Sequence, residues 1–451
     1  MKILQCLNHF LPHQVAGTEV YVWSLSKSLQ KLGHRVEILI PNYGKKKTEQ
    51  YDHDGLDVYQ FAEPSIVDRK LIMGQKEPEG LEYFRQHLIS SKPDVVHFHE
   101  LAGSNGISLH HIKAAKDLGF QVVFTFHLAG YSCKTGTLVY QGKTLCDGKI
   151  RIGACGSCYL QSKGYSGIKN ILNPLSQLFY DVAIDPTKWN SRLGTALGTA
   201  FIIKKLKDDL LQLATYCESM IVLSKWYERI LLLNGLPGDK IKYIPQGLAT
   251  SVSTFPGGKM KSSKRPLKLM FLGRISPFKG LHLLTEAIKN IPADLVELNI
   301  YGQPDGTDYT ETLKQQTKDL RNIHWRGNLE REKVIATLQE HHVLCLCSTF
   351  SEMSPLVIRE AFAAGIPVLA ADVYGNAEQI TPGRNGWLFK FNNVDDLEIQ
   401  IKRLIGEPVL FEKLHITPES NPSFDSIASR YLKIYLSGMP VFSHRHILKE
   451  Q

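Results

Sequence analysis

Two series of short apolar runs, each alternating with longer helical patterns, constrain the fold of this chain more than any other feature. The runs are about four to eight residues long, as in buried strands, and the stretches between them have helical spacing. Glu19–Leu32 is one such helix, and Gly33 marks its end. Unbroken apolar strands separated by helices are typical of parallel sheets covered on both faces, so the pattern predicts an α/β fold. The predicted strands of the first series are Lys2–Leu7, Arg35–Ile40, Asp57–Phe61, Val95–His99, Gln121–His127, Met220–Ser224 and Ile241–Pro245.

A polar segment separates the two series. Residues 250–266 are rich in Gly, Ser and Lys and lack apolar periodicity, which is typical of an interdomain linker. The second series has predicted strands at Leu267–Gly273, Leu295–Tyr301, Ile323–Arg326, Val343–Cys347, Pro367–Ala371 and Trp387–Phe389. Its helices are expected near Gly280–Asn290, Tyr309–Asp319, Glu330–Glu340, Pro355–Ala364 and Val394–Leu404. We expect an N-terminal domain at 1–250, a linker at 251–266 and a C-terminal domain at 267–420. The N-terminal domain contains a cysteine-bearing insertion at 130–163 and a helical segment at 165–213. A final helix and tail at 421–451 are expected to pack on the N-terminal domain.

The composition excludes several classes of protein. A length of 451 residues suits two or three domains, and contents of 43% hydrophobic and 22% charged residues are ordinary for a globular protein. The formal charge of +9 suits anionic small molecules, an anionic membrane face or nucleic acid, but no basic tail indicates a nucleic-acid arm. Because neither a signal-peptide pattern nor an apolar stretch of about 18 residues is present, we expect a cytoplasmic protein with reduced thiols.

One stretch of the second series combines two carboxylates with the start of a helix. Glu352 closes a loop, Pro355 lies at or near the first helical position, and Glu360 follows on the helix. Backbone amides at Ser354–Val357 and the positive end of the helix dipole favour an anionic group. The two carboxylates could bind the hydroxyls of the same ligand, so a phosphate-linked sugar or ribose fits. A capped surface helix with ordinary acidic residues explains this stretch equally well.

A second loop at a predicted strand end carries two cations. Gly273 ends the strand, and Arg274 and Lys279 follow before the next helix. Two fixed cations at the carboxyl end of a strand suit a diphosphate whose leaving group gains charge. A solvated loop with two basic residues is the alternative.

Together these motifs resemble the donor-binding half of the retaining glycosyltransferases of family 4. The resemblance is carried by Glu352 with seven residues before Glu360, by the following residues 361–368, by the loop 273–280, and by the motif 374–378. It extends over essentially the whole chain. It implies the GT-B architecture, in which two Rossmann-like doubly wound domains face each other across a cleft.

The resemblance implies roles for the residues on the donor side. Glu360 would hold the ribose hydroxyls of a nucleotide sugar, and Glu352 would contact its sugar ring. Arg274 and Lys279 would clamp the diphosphate and stabilise it as it leaves, and Asn328 would border the nucleobase. The segment that would offer backbone amides to the phosphates or the sugar is Met353, Ser354, Pro355 and Leu356.

In the first half, the resemblance assigns the glycine-rich loop after the first strand to Gly17, which would let the backbone approach the donor phosphate. The family often has two adjacent glycines here, and Ala16 takes the first place; a glycine that merely permits a turn is the alternative. His127 would line the junction of donor and acceptor and touch an outer hydroxyl of the sugar, although a histidine at a strand end is more often packed than catalytic. His99 or Glu100 would contribute to the acceptor side. The resemblance implies that the leaving diphosphate takes the acceptor's proton, so no nucleophile is assigned.

Four of the eight cysteines fall in one segment, and the last two form a Cys-x-x-Cys pair. This pattern predicts a structural zinc site, and in a reducing cytoplasm disulfides are a poor alternative. Unpaired thiols and a redox pair remain as alternatives to zinc. A zinc ion with four thiolates has no open position, so no catalytic metal is expected. The ligands that the pattern predicts are Cys133, Cys146, Cys155 and Cys158. By resemblance, the four-cysteine insertion marks a subgroup of the family.

The helical segment at 165–213 mixes lysines with large apolar residues. Such a mixture could lie on an anionic membrane surface and present a lipid-linked acceptor. A solvated helix pair with a packed apolar side is the alternative, which the sequence favours.

The sequence therefore predicts a retaining glycosyltransferase that moves a sugar from a nucleotide sugar to a hydroxyl of a glycan or lipid-linked acceptor. The predicted setting is assembly of a cell-surface polysaccharide or other glycoconjugate, in the cytoplasm or peripherally at the inner face of the membrane. One alternative is a GT-B nucleotide-sugar epimerase, for which no acid/base pair is evident. Another is a catalytically silent, zinc-stabilised binding or scaffold protein. Nucleic acid is not an expected partner, because no stripe of basic and aromatic residues is present.

Overall fold

The computed structural model describes residues 1–64, 69–102, 106–248, 266–416 and 422–438. These residues form two compact units. The first comprises the described parts of Met1–Gly142, Cys146–Pro245 and Ser423–Gln451, and the second comprises those of Lys143–Leu145 and Gln246–Pro422. The predicted linker at 251–266, apart from Pro266, and the tail from residue 439 lie outside the described residues.

The strands and helices alternate along most of the described chain. The strands are β1 Lys2–Cys6, β2 Arg35–Tyr43, β3 Glu49–His53, β4 Leu56–Glu63, β5 Val95–Phe98, β6 Gln121–Phe126, β7 Val139–Tyr140, β8 Thr144–Leu145, β9 Ser219–Val222, β10 Ile241–Tyr243, β11 Leu267–Leu272, β12 Val296–Tyr301, β13 Ile323–Gly327, β14 Val343–Leu346, β15 Val368–Ala371 and β16 Gly386–Phe389. The α-helices are α1 Gly17–Lys31, α2 Arg69–Ile72, α3 Leu81–Ser91, α4 Leu109–Asp117, α5 Ile152–Ser162, α6 Lys169–Asp181, α7 Arg192–Leu197, α8 Thr199–Tyr216, α9 Lys225–Leu233, α10 Leu281–Lys289, α11 Tyr309–Thr317, α12 Val334–Gln339, α13 Leu356–Ala363, α14 Tyr374–Ala377, α15 Val394–Gly406, α16 Val409–Glu412 and α17 Phe424–Ser437.

An eight-stranded sheet forms the framework of the first unit, with the order β10-β9-β6-β5-β1-β2-β4-β3. Neighbouring strands are parallel except β3 and β4. The central strands β1, β5 and β6 are buried along almost their whole length, as expected of strands covered on both faces. From β1 the sheet extends through β2 on one side and β5 on the other. The topological switch point, where such sheets bind ligands, therefore lies between β1 and β5.

The helix α17 belongs to the first unit, although it follows the second unit in sequence. Its Tyr431 hydroxyl lies 2.9 Å from the hydroxyl of Tyr21 on α1 and 3.0 Å from Oγ1 of Thr125 on β6. The Ser28 hydroxyl donates to a carboxylate oxygen of Asp425 at 2.6 Å. Because Tyr21, Thr125 and Tyr431 are fully buried, α17 completes the core of the first unit.

A six-stranded parallel sheet forms the framework of the second unit, with the order β13-β12-β11-β14-β15-β16. The switch point of this sheet lies between β11 and β14. Buried aliphatic residues of α10 and α15 pack with the strands in one core cluster, and those of α12 and α13 pack in another. The loops that leave β11 and β14 at their carboxyl ends therefore have rigid elements behind them.

Most predicted strands and helices are present, and the differences have local causes. The strand β3 was missed because its sequence, Glu-Gln-Tyr-Asp-His, is polar and largely exposed. A helix predicted at Glu330–Glu340 begins only at Val334, because residues Arg331–Lys333 form a 3₁₀ turn. None of the helices in the described ranges is both long and apolar enough to cross a bilayer.

Candidate active site

The two loops that leave β11 and β14 meet at the switch point of the second sheet. The backbone N–H of Thr349 donates to the carbonyl of Phe278 at 2.8 Å, and the Thr349 hydroxyl donates to the carbonyl of Pro277 at 3.0 Å. Gly280 has a φ of +67°, and a Cβ there would overlap the carbonyl oxygen of Cys347. Glycine is therefore required at position 280 both by the backbone conformation and by the close approach of the two loops.

A partly buried ion pair joins these loops. Lys279 Nζ lies 2.6 Å from Glu352 Oε1, and the hydroxyl of Ser348 donates to the same oxygen at 2.8 Å. The Glu352 side chain is 9% exposed, whereas that of Lys279 is 32% exposed. The lysine also lies 5.3 Å from the centroid of the Phe350 ring. The sequence predicts both charged residues as site residues, and the structure shows that they contact each other.

The motif 374–378 supports the backbone of Glu352. Gly375, on the short helix α14, packs so closely that a Cβ there would overlap the carbonyl oxygen of Glu352 and lie 2.9 Å from that of Met353. Asn376 is fully buried and donates from its amide to the carbonyl of Ala371. The motif thus fixes the loop that carries Glu352.

Helix α13 begins one residue later than the sequence predicts. Pro355 has a ψ of 123° and is the N-cap, so Leu356 is the first helical residue. The backbone N–H of Ile358 donates to the carbonyl of Pro355 at 3.3 Å. The backbone N–H groups of Leu356 and Val357 lie in the first turn of α13, where N–H groups have no carbonyl partner within the helix. Such N–H groups favour a bound anion.

Glu360 lies on α13, and its carboxyl group is held near a cation that the sequence did not single out. Burial raises the pKa of Glu360, and the positive charge of Arg331 opposes that shift. Burial likewise lowers the pKa of Arg331, and Glu360 opposes that change. The position of Arg331 shortly after β13, at another carboxyl end of the sheet, was the signal that could have identified it.

Arg274 and Asn328 are exposed at the carboxyl ends of β11 and β13. Thr307 donates hydrogen bonds that lower the pKa of Asp305, in the loop after β12, and the charge of Arg274 contributes a smaller part of that shift. Arg274 and Asn328 therefore lie at the same edge of the sheet as Lys279 and Glu352. In the described part of the chain, neither of the first two side chains contacts Lys279 or Glu352 directly.

A hydrogen-bonded histidine cluster lies at the carboxyl ends of β5 and β6 in the first unit. His99 Nδ1 lies 3.0 Å from His127 Nε2, and His99 Nε2 lies 2.6 Å from Gln5 Oε1. The rings of His97 and His99 have centroids 4.0 Å apart, because alternate residues share one face of the strand. His97 in turn contacts the hydroxyl of Tyr435 on α17 at 2.8 Å. The cluster therefore links His127 to the last helix of the unit.

Burial keeps these histidines uncharged. It lowers the pKa of His127 to about 3 and lowers the pKa values of His97 and His99 well below the ordinary range. His127 is therefore a neutral hydrogen-bonding group at physiological pH.

Glu100 and Gly17 lie beside the switch point of the first sheet. Burial raises the pKa of Glu100 to about 7, while its Oε1 accepts a hydrogen bond from the backbone of Asn8 at 2.8 Å. Gly17 is the first residue of α1, and nothing lies within 4 Å of where its Cβ would be. Neither the packing around position 17 nor its backbone conformation requires glycine there.

The four clustered cysteines are half-buried, and none of the eight cysteines forms a disulfide. Burial raises the pKa of Cys155 to about 11, with smaller contributions from the neighbouring thiols. Within the described ranges, no three His, Cys, Asp or Glu side chains come close enough together to hold a metal ion. This arrangement does not support the predicted zinc site. The polar contacts of the four sulfurs include Cys133 with Thr135 Oγ1 (3.2 Å), Cys146 with the N–H of Gly148 (3.5 Å), Cys155 with the N–H of Arg151 (3.3 Å) and Cys158 with the N–H of Gln141 (3.1 Å).

Two family models match this chain. The model described as glycosyl transferases group 1 matches residues 258–417, and the model described as glycosyltransferase family 4 matches residues 15–145. The first range contains the Lys279–Glu352 pair and Glu360. The second contains Gly17 and His127.

Similar proteins and structures extend this comparison. The chain is 26% identical over 215 residues to a putative colanic acid biosynthesis glycosyltransferase, WcaL, of Salmonella typhimurium, covering 46% of this chain and 52% of that protein. It spans about half the length of the first curated relatives it matches. Sucrose-phosphate synthase from Thermosynechococcus elongatus superposes with a TM-score of 0.66 at 17% identity, covering 97% of this chain and 98% of that one. HepE from Anabaena in complex with UDP-glucose gives a TM-score of 0.56 at 16% identity, with 100% of both chains covered.

Proposed function

We propose that this chain, a glycosyltransferase with the GT-B fold that is similar to group 1 and family 4, moves a sugar from a nucleotide-sugar donor to an acceptor hydroxyl. The proposed reaction retains the configuration of the anomeric carbon and serves the assembly of a cell-surface polysaccharide or glycoconjugate. The observation that carries the proposal is the Lys279–Glu352–Ser348 cluster at the switch point of the second sheet. Ligands of doubly wound sheets bind at this edge.

In the proposed complex, the donor diphosphate replaces the Glu352 carboxylate as the ion-pair partner of Lys279. A diphosphate carries more negative charge than one carboxylate, and the amides at the start of α13 add further donors for it. Lys279 and the exposed Arg274 then stabilise the charge that develops as the bond between the anomeric carbon and the phosphate oxygen breaks. Glu352, released from the lysine but still bonded to Ser348, accepts a hydrogen bond from a sugar hydroxyl.

The remaining groups orient the donor and complete the transfer. Glu360 binds the ribose hydroxyls, and Asn328 borders the nucleobase. The acceptor oxygen bonds to the anomeric carbon as the nucleoside diphosphate leaves, and the acceptor's proton passes to an oxygen of that diphosphate. His127 is neutral, so it donates or accepts a hydrogen bond with an outer hydroxyl of the sugar without adding charge.

Turnover of a panel of nucleotide sugars tests the proposal. The parent protein is expected to release nucleoside diphosphate from at least one donor when an acceptor is present. Glu352→Gln and Lys279→Met are expected to lose about 100-fold or more in rate, as happens when a charge-stabilising group is removed. No release from any donor, or unchanged rates in both variants, would overturn it. Epimer formation without an acceptor would instead favour the nucleotide-sugar epimerase.

Lys289→Met is the matched control. The Lys289 side chain is 33% exposed, close to the 32% of Lys279, and it also forms an ion pair, with Glu286 on the same helix. It lies at the last position of α10. This variant is expected to keep the parent rate, so a loss that is specific to Lys279 reflects its place at the switch point.

Structural zinc at the four cysteines is a separate part of the proposal. It rests on the Cys-x-x-Cys pattern of the sequence with two further cysteines nearby, and on backbone N–H groups that donate to three of the sulfurs. Because the described side chains do not group around a metal position, zinc binding would have to draw the four thiols together. Metal analysis of the purified protein is expected to find one zinc ion per chain, which Cys155→Ser combined with Cys158→Ser removes. A metal-free protein with four titratable thiols would contradict it.

A further inference from the structure

Large apolar side chains are unusually concentrated on the surface of one short segment of the first unit. Of the 21 exposed large hydrophobic residues in the described chain, eight lie between residues 168 and 193. The segment holds 26 of 451 residues, so scattered exposure does not explain the cluster. We call these eight side chains the apolar face: Ile168, Ile171, Leu175, Leu178, Val182, Ile184, Trp189 and Leu193.

The apolar face follows from the geometry of α6. Five of its members recur at intervals of three and four residues from Ile168 to Val182, which places them on one side of the helix. The other side of α6 is anchored: Leu172 is buried in a small cluster with Leu160, and the hydroxyl of Ser176 accepts the N–H of Ala200 at 2.7 Å. The helix is thus fixed on the unit with its apolar stripe outward.

The turn after α6 extends this face. Ile184 and Trp189 are 49% and 42% exposed, and the ring of Trp189 packs edge-on against Phe179 with centroids 5.5 Å apart. Tryptophan is enriched where apolar and aqueous phases meet. The contact with Phe179 therefore fixes the indole against α6.

Positive charge accompanies the apolar face. Lys163, Lys188 and Arg192 are exposed, and neither Lys188 nor Arg192 has an ion pair among the described residues. The segment 163–193 contains only two acidic residues, and both already accept hydrogen bonds. Asp181 accepts from Gln177, and Asp185 accepts from Thr187.

We propose that the apolar face docks on an anionic lipid bilayer. An amphipathic helix with basic residues beside it lies in the interfacial plane of a membrane, and each nearby lysine or arginine adds to its attraction for anionic lipids. A second copy of the chain fits less well. A two-fold interface sets the same patch against itself, which would bring the unpaired cations of both copies together. The proposal concerns membrane docking alone and does not depend on the glycosyl transfer.

Vesicle co-sedimentation tests the docking. The parent protein is expected to bind vesicles of phosphatidylcholine with about one-third phosphatidylglycerol, and to bind pure phosphatidylcholine vesicles less tightly. Ile171→Ser combined with Leu178→Ser is expected to weaken binding to anionic vesicles about tenfold or more, because two inserted aliphatic side chains are lost. These side chains are 63% and 57% exposed, so the folded state loses little packing.

Leu232→Ser combined with Leu233→Ser is the matched control. These leucines are each 46% exposed at the end of α9, outside the apolar face. The control is expected to bind vesicles like the parent. Circular dichroism and the thermal transition show that each variant is folded.

Charge reversal provides a second, independent test. Lys188→Glu combined with Arg192→Glu is expected to weaken binding to anionic vesicles about tenfold or more, and added salt is expected to reduce the difference from the parent. The proposal is overturned if the parent binds neither vesicle, or if the serine pair binds as tightly as the parent. A dimer in light scattering that the serine pair dissociates, without vesicle binding, would assign the face to a second copy.

Discussion

The ion pair between Lys279 and Glu352 should be measurable as a coupling in stability. The Glu352 side chain is 9% exposed in the parent protein, and Lys279→Ala removes its cation while the hydrogen bond from Ser348 to Oε1 remains. Breaking a fully buried pair by removing one partner costs about 3–5 kcal/mol. Because the lysine is about one-third exposed, solvent screening reduces the effect, and we expect a loss of about 1–2 kcal/mol.

A double-mutant cycle isolates this interaction. Glu352→Gln keeps the shape of the side chain but removes its charge, so Lys279→Ala in that background is expected to cost much less than in the parent. Chemical denaturation of the four proteins gives the coupling energy, which we expect to reach about 1 kcal/mol. Additive single effects, with a coupling below about 0.5 kcal/mol, would refute a stabilising ion pair between these two side chains.

Three further predictions concern single residues. Gly17→Ala should leave stability almost unchanged, because nothing lies within 4 Å of the new Cβ. It should weaken donor binding several-fold in calorimetry, and unchanged binding would contradict a close approach of the donor phosphate to this residue. Gly375→Ala should lower both stability and turnover, because the Cβ overlaps the Glu352 carbonyl, and a fully active, stable variant would contradict that packing. Burial raises the pKa of Glu100 from 4.5 to about 7, so the folded state binds the proton more tightly and stability falls as pH rises between these values. Denaturation at several pH values should show this fall weakened in Glu100→Gln, and an identical pH profile in both proteins would contradict it.

Local pattern was sufficient to predict much of the fold. The strand β11 and the helix α10 were predicted within one residue at each end, because an unbroken apolar run and an amphipathic repeat distinguish them. The strand β3 lacks any apolar signal, since its pairing with β4 rather than its own composition makes it a strand. Helix α13 starts after Pro355 because of a backbone angle that residue identity does not determine.

The candidate site was only partly predictable. Lys279, Glu352 and Glu360 were identified from their motifs, but the 2.6 Å contact between Lys279 and Glu352 depends on β11 and β14 being neighbours in the sheet. Because β12 and β13 lie between β11 and β14 in the chain, the sequence does not show that β11 and β14 are neighbours in the sheet. The charge of Arg331 beside Glu360 was missed for the same reason.

The outward direction of the apolar stripe on α6 was also beyond the sequence. A helical repeat of apolar residues gives the same signal whether its stripe packs inward or faces solvent. The favoured prediction of a packed apolar side does not describe α6, because Ile171 and Leu178 are 63% and 57% exposed. The buried side of the helix instead includes Leu172 and Ser176, which contact neighbouring helices.

Calorimetric titration with UDP, GDP and ADP tests the central claim most directly, because the claim assigns the donor diphosphate to Lys279. The parent protein and Lys289→Met are expected to bind at least one of these nucleotides with the same affinity, while Lys279→Met binds it about tenfold or more weakly, as expected for the loss of a charge-assisted contact. Equal affinity in Lys279→Met and the parent, or no binding of any nucleotide by the parent, would contradict the account.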